Sequence, residues 1–518
     1  MYKNLLFAFP LVFLFSTTLT AQDKLSTKQA NELFNDGNFY EALDTYLLLL
    51  ETTPDDTKLN YRTGVCYLNT NIDKARATFY LEKVLTLKGV NPNTYYLLGR
   101  AYHFSYRFND AIKMFEKFKT INKGNSSNIE DVDKQIEYCY NGIEIMKFPL
   151  DVSFENLGAN INSVGPDYYP FVPKDESILV FNSKRDDGSS VKPDGSFYSE
   201  VYISQVKNGV FSKAIKLDQN INTLEGSEEI VGLSARGDFM MFYFDNKESF
   251  GDLHFAEYNA VDGVFEVEKL PKEINTKNHE IAASISKFGN AIYFASDREG
   301  GYGGVDIYVS RKLPNGAWSL AQNLGPTVNS EYDEDFPNIS PDNKTLYFSS
   351  KGHTSMGGYD IFKATWDPVK RKWLDVKNVG FPINTPEDNM NYRESKSGRT
   401  GYISALREEG FGDLDIYSVT FNEVDPQYTV LKGFVTPKDT TQIIKDVYIS
   451  VLDIQTDELY GSYVTNPKTG RYIIILPPGK FNLLVEVSGY DFYSEDIEIL
   501  GKASFRSLIK KNFVLKKE

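Results

Sequence analysis

The sequence predicts a multidomain chain of mixed class, α followed by all-β: an α-solenoid of paired helices, a five-bladed β-propeller (six blades as the fallback), and a C-terminal β-sandwich. Three observations carry this. Small residues recur with a period near 34 in the first quarter of the chain. A second repeat with a period in the fifties fills the middle. Short strands broken by turn residues fill the last ninety or so positions. At 518 residues the chain is too long for one hydrophobic core, so several domains are required. Hydrophobic residues make up 41% and aromatics 14%, with 34 Tyr and 36 Phe, an excess suited to strands.

The first segment, 1–21, reads as a secretory signal peptide. Met1, Tyr2 and Lys3 precede the apolar run Leu5 to Phe15, then Ser16 to Thr20 and the small residue Ala21. An uncleaved anchor is the alternative. No Cys lies near the cleavage point, so a lipoprotein is not expected, and no later stretch reaches transmembrane length. The mature chain is therefore expected to be exported and soluble. Its two cysteines, Cys66 and Cys139, are expected as buried free thiols, with a disulfide as the alternative.

Residues 22–148 show the helical repeat. Ala30, Gly64 and Gly99 recur at intervals of 34 and 35; Ala42, Ala75 and Ala111 follow each, then Tyr46, Phe79 and Phe115 four positions on. Small residues at fixed places let antiparallel helices cross closely, the pattern of tetratricopeptide repeats. The third repeat is cleanest, with Tyr95, Leu98, Gly99, Tyr102, Phe108, Ala111, Phe115 and Phe118. The second is one residue short between its helices and carries Glu82 where the motif wants a small or apolar residue. Ile129 to Met146 is expected to cap the stack. By the geometry of the motif, one face of each first helix lines an inner groove, which would present Asn31, Phe34, Tyr61, Val65, Tyr96, Arg100 and His103 to a protein partner.

Residues 149–424 alternate instead. Each unit holds a strand after a turn, as in Ser340-Pro341-Asp342 to Phe348, then a glycine-rich turn and a second strand, as in Gly303-Gly304-Val305-Asp306-Ile307-Tyr308. A closing signature, as in Leu324-Gly325 to Val328-Asn329-Ser330, occurs five times, ending at Ser163, Thr223, Thr276, Ser330 and Thr385. Middle strands also occur five times, near Val180, Met241, Tyr293, Tyr347 and Tyr402, but out of phase. Residues 151–163 should therefore complete the blade begun by 386–421, closing a ring. Residues 425–518 hold about seven short strands, including Val430 to Val435, Val447 to Asp453, Gly461 to Thr465, Asn466 to Gly470, Tyr472 to Leu476 and Phe481 to Val487, the punctuation of a small sandwich.

Catalysis finds little support. There is no Gly-x-Ser-x-Gly elbow, His-x-x-x-His or Cys-x-x-Cys, and the four histidines fall in different repeats, so no catalytic residue, metal or cofactor is expected. Asp306, Asp360 and Asp415 recur at one place in the blades, with Glu200 and His254 at the equivalent places in the first two units; such residues usually bond a turn. Asp333, Glu334 and Asp335 offer oxygens for calcium but lack a recognised spacing. A net charge of −15 argues against nucleic acid as a partner.

The order of signal peptide, tetratricopeptide repeats, propeller, and a last domain with Thr465-Asn466, Gly470-Arg471-Tyr472 and Leu476-Pro477-Pro478-Gly479 resembles the PorE-like envelope proteins of Bacteroidetes. The propeller looks like TolB-type, WD40-like repeats and the last domain like a carboxypeptidase regulatory-like domain. The resemblance implies a periplasmic protein peripherally associated with the outer membrane in the type IX secretion and gliding motility apparatus, binding an outer-membrane barrel or other secretion components. Relatives continue into an OmpA-type domain that grips peptidoglycan. This sequence stops at Glu518 where that domain would begin, which makes direct peptidoglycan binding doubtful. The expectation is a non-catalytic adaptor, with a cell-wall or capsular glycan-binding module as the alternative.

Overall fold

The computed structural model describes residues 27–122, 129–188, 191–192, 194–207, 209–223, 226–245, 250–259, 264–340, 343–395, 399–422, 428–438, 443–499 and 508–518. The expected signal peptide, Pro341 and Asp342 of the Ser-Pro-Asp turn, and the Asp425-Pro426 junction lie outside these residues.

Among the described residues seven α-helices come first: α1 (Thr27–Asn35), α2 (Phe39–Thr52), α3 (Thr57–Leu68), α4 (Ala77–Thr86), α5 (Asn93–Phe104), α6 (Phe108–Asn122) and α7 (Ile129–Ile145). Their starts follow from local chemistry. The Asn38 side chain accepts from Glu41 N (3.3 Å) to cap α2, and Asp56 accepts from Leu59 N (2.8 Å) to cap α3. Glycines set the crossings: a Cβ on Gly99 would lie 2.6 Å from the Phe115 ring, and one on Gly64 2.6 Å from Leu81.

These helices correct the expected fold class, because they do not form an α-solenoid of tetratricopeptide pairs. Seven helices do not divide into pairs, and the molecule is mostly β, with 39% of residues in strands and 20% in helices. The middle repeat breaks the register. A 3-10 turn, Lys74–Arg76, precedes α4, so Ala77 and Leu81 are fully buried in the places expected for Ala75 and Phe79. Phe79 is 65% exposed. The side expected to be an open groove is also partly covered by the β region: His103 Nε2–H donates to the Met356 carbonyl (2.7 Å), Tyr138 OH to Lys351 O (2.7 Å) and Asn141 Nδ2 to Ser355 O (2.9 Å). Tyr40 OH and Asn71 Nδ2 both donate to Asp413 (2.9 and 2.7 Å), and Lys74 pairs with Glu387.

Five antiparallel sheets follow, set round an axis as the blades of a β-propeller. Their inner strands are Asp167–Phe171, Ser227–Leu233, Glu280–Ile285, Glu334–Ile339 and Arg393–Glu394. Middle strands Ile178–Ser183, Phe239–Asp245, Ala291–Ser296, Thr345–Ser350 and Thr400–Ala405 bury Phe181, Phe242, Phe294, Phe348 and Ile403 between blades. The outer strand of the fifth blade comes from the start of the region: Val152–Asn156 pairs antiparallel with Asp415–Phe421, so the ring is held shut by its two chain ends.

The last region packs two four-stranded sheets on one core that includes Leu431, Val447, Ile449, Tyr472, Ile474, Phe481, Leu483 and Phe513. Asn466 to Gly470, read as a strand from the sequence, is a turn in which Thr469 N and Gly470 N donate to Asn466. Lys480 bonds Glu144 of α7 at 2.7 Å, tying this sandwich to the helices.

Candidate functional site

The seven residues expected in a helical groove are not gathered into one open surface. Tyr61 lines an open cavity of about 310 Å³ with Thr57, Lys58, Arg62 and Asn91. Asn31 accepts from Tyr46 OH at 2.9 Å, Phe34 packs edge-on against Phe39 under the Arg62 guanidinium, and Val65 is half-buried. Tyr96 is a core residue, packed against Phe115 and Phe118 with its hydroxyl on Asp131 (2.7 Å). Arg100 lies over Phe104. His103 is buried against the propeller, and burial pushes its pKa down to about 4, so the ring is neutral and Nε2 carries the proton that Met356 O accepts.

The recurring residues of the propeller are blade fasteners. In each closing signature the Asn side chain accepts a backbone N–H and donates to the C=O of one residue on a neighbouring third strand: Asn162 on Ile416, Asn222 on Val201, Asn275 on Leu253, Asn329 on Ile307 and Asn384 on Ile361. The following Ser or Thr donates through backbone and hydroxyl to a side chain four or five residues on, at or shortly before the start of the next inner strand: Asp167, Glu228, Glu280, Glu334 or Asn389. Asp306, Asp360 and Asp415 accept from the turn amides of Tyr302, Met356 and Phe411 and from Asn323, Asn378 and Asn156. In the second blade the residue before the clipped Leu253 is Asp252, paired with Lys269, and this corrects the alignment that put His254 there. Asp333 bonds Lys351 (2.8 Å), Glu334 accepts from Ser330 and Ser350, and Asp335 accepts from Phe336 N (2.6 Å). Among the described residues no three His, Cys, Asp or Glu side chains gather to hold a metal.

The inner strands line a central channel. At the start of the strands Glu229 accepts from Tyr168 OH (2.8 Å), and burial pushes the Asp335 carboxyl up to about 7. At the far end is a cavity of about 330 Å³. Strand register places Phe171, Gly232, Ser284, Asn338 and Arg393 at one level there, opposite Val180, Met241, Tyr293, Tyr347 and Tyr402 of the middle strands. Four are uncharged; the fifth is a cation. Arg393 is 6% exposed, its guanidinium 4.1 Å above the Phe171 ring, with Nε donating to Asn391 Oδ1 at 2.7 Å. Among the described residues its Nη2 has no hydrogen-bond partner, and burial pushes the group down to about 9. Sequence reasoning missed Arg393. The available signal was its departure from the uncharged residues at the same level of the other four blades.

No protein-family profile matches the chain, and no curated protein matches it. Among solved structures it is similar to one described as a complex of BT0996 with RGII, at TM-score 0.39 and 10% identity over 55% of this chain and 96% of that one. It is also similar to a protein of unknown function from Dyadobacter fermentans DSM 18053, at 0.33 and 10% over 49% of this chain and 75% of that one. A third is the endo-arabinase from Bacteroides thetaiotaomicron VPI-5482, at 0.33 and 14% over 53% and 98%.

Proposed function

We propose that the chain is a non-catalytic adaptor of a bacterial cell envelope, exported to the periplasm and docked to protein partners at the outer membrane, within the type IX secretion and gliding apparatus. The observation that supports docking is the outer face of one sandwich sheet. Phe434, Ile473, Ile475, Leu508 and Val514 stand there at 43, 56, 48, 41 and 53% exposure. Register sets Ile475 and Leu508 on either side of Val430, and Ile473 beside Lys432. An apolar sheet face rimmed by basic side chains suits a protein surface better than water. The envelope setting rests on the resemblance of motif order. Cross-linking in intact cells tests the reading: a discrete higher-mass species containing this chain is expected, and a chain that stays uncross-linked at good expression counts against it.

A second reading, a module for cell-wall or capsular glycan, is favoured by the channel cavity, whose volume is that of a small-ligand pocket. Cosedimentation with purified sacculi separates it from docking.

A further inference from the structure

We infer that the far end of the propeller channel is a binding site for a single carboxylate carried on a compact organic body, with Arg393 as the residue that receives it. The assignment goes beyond both readings above, since it needs neither a protein partner nor a polymer.

A buried guanidinium without a counter-ion is costly, and proteins normally pair it. Two other propeller arginines show the normal arrangement, Arg185 bonding Asp167 at 2.5 Å and Arg298 bonding Glu280 at 3.0 Å, whereas Arg407 lies over the Phe154 ring with Nη2 on the Pro382 carbonyl and lines no part of this cavity. Arg393 has no carboxylate within bonding distance among the described residues, yet it is held rigidly. Asn391 fixes Nε and is itself anchored to the Pro170 carbonyl (3.1 Å), while Phe171 supports the guanidinium plane. What remains is a preorganised Nη2, buried just beneath the wall of the cavity that Arg393 helps to line.

The surroundings narrow the ligand. The chain carries a net charge of −15, but the cavity is lined by three cations, Arg393, Lys174 and Lys287, against one carboxylate, Glu394, which accepts from Tyr347 OH at 3.1 Å. That local reversal draws an anion to this mouth. One buried cation beside a rim carboxylate matches a monoanion better than a phosphate dianion, and a planar carboxylate fits the guanidinium edge. Ile285, Ile339 and Phe171 supply apolar wall, and Ser284 and Asn338 polar wall, for a body the size of a sugar ring or smaller.

The carboxylate could belong to a free small acid or to an acidic sugar. Titration calorimetry on the full-length protein with galacturonate, galacturonate methyl ester and acetate decides both points. Galacturonate is expected to bind at least about tenfold more tightly than its ester, because the charge-assisted bond is lost on esterification. Acetate as tight as galacturonate identifies a free acid; acetate markedly weaker identifies the sugar ring as part of the ligand. Arg393→Met is expected to abolish binding without lowering the unfolding midpoint, and Arg393→Lys to weaken it. Equal binding of acid and ester, unchanged binding by Arg393→Met, or no binding of either acid up to about 10 mM overturns the assignment. The acid-against-ester comparison uses the wild-type protein and stands even if a variant fails to fold.

Discussion

Replacing Asn329 with Leu removes one blade fastener while keeping side-chain volume nearly constant. Asn329 is 1% exposed; it accepts from Ile307 N (2.8 Å) and donates to Ile307 O (3.0 Å) and to Asn323 (2.8 Å). Leu324 N still donates to Ile307 O at 3.1 Å, so that carbonyl keeps a partner, whereas the buried Ile307 N–H does not. A buried donor left unsatisfied costs about 1–3 kcal/mol, and each ordinary hydrogen bond lost about 1 kcal/mol, giving a loss of roughly 3–5 kcal/mol. The chain's three tryptophans, Trp318, Trp366 and Trp373, lie in or beside the third and fourth blades, so their fluorescence reports the affected junction. Equilibrium urea unfolding followed by that fluorescence should show a clearly lower midpoint for Asn329→Leu. A stability change under about 1 kcal/mol would refute the claim that the recurrent Asn ties its closing loop to the third strand of the blade by paired backbone bonds.

Other consequences follow from buried groups. The His103 pKa is held down at about 4 in the folded protein against 6.5 for an ordinary histidine. The unfolded chain therefore binds more protons between these values, so this group's stability is complete above pH 6.5 and is lost as pH falls towards 4. At about 1.4 kcal/mol per pH unit, the stability of wild type relative to His103→Gln should fall by roughly 3 kcal/mol over that window; a constant difference would contradict the buried neutral ring. Cys66 and Cys139 are free, buried, and have thiols pushed up to about 12 by burial. Neither should react rapidly with a thiol reagent at pH 8 in the native protein, and both should react in denaturant. Rapid modification of either thiol in native protein would disprove this burial.

The propeller was the most legible part of the sequence because its fasteners act on the backbone. Asn329, Ser330 and Glu334 make bonds that every blade junction needs, so their types recur and expose the repeat. The helices were less legible. The Ala75 and Phe79 spacing satisfies a motif, but the 3-10 turn at Lys74–Arg76 moves the packed pair to Ala77 and Leu81, and spacing alone does not reveal that shift. His103 shows a second limit: periodicity assigns a face to a helix residue, but the Met356 carbonyl that covers it comes from 253 positions away. Arg393 was hidden for the opposite reason from the fasteners, since it occurs in one blade and serves no repeated bond.

The central claim, docking through the outer sheet of the sandwich, is tested most directly by paired affinity purification from gently solubilised envelopes. Tagged wild type and an Ile473→Lys/Ile475→Lys variant would be compared, with the accompanying proteins quantified by mass spectrometry. Both side chains point away from the core, so the variant should fold as wild type does. The account predicts a discrete set of outer-membrane proteins with wild type and at least about a tenfold loss with the variant. Equal recovery with both chains would contradict it.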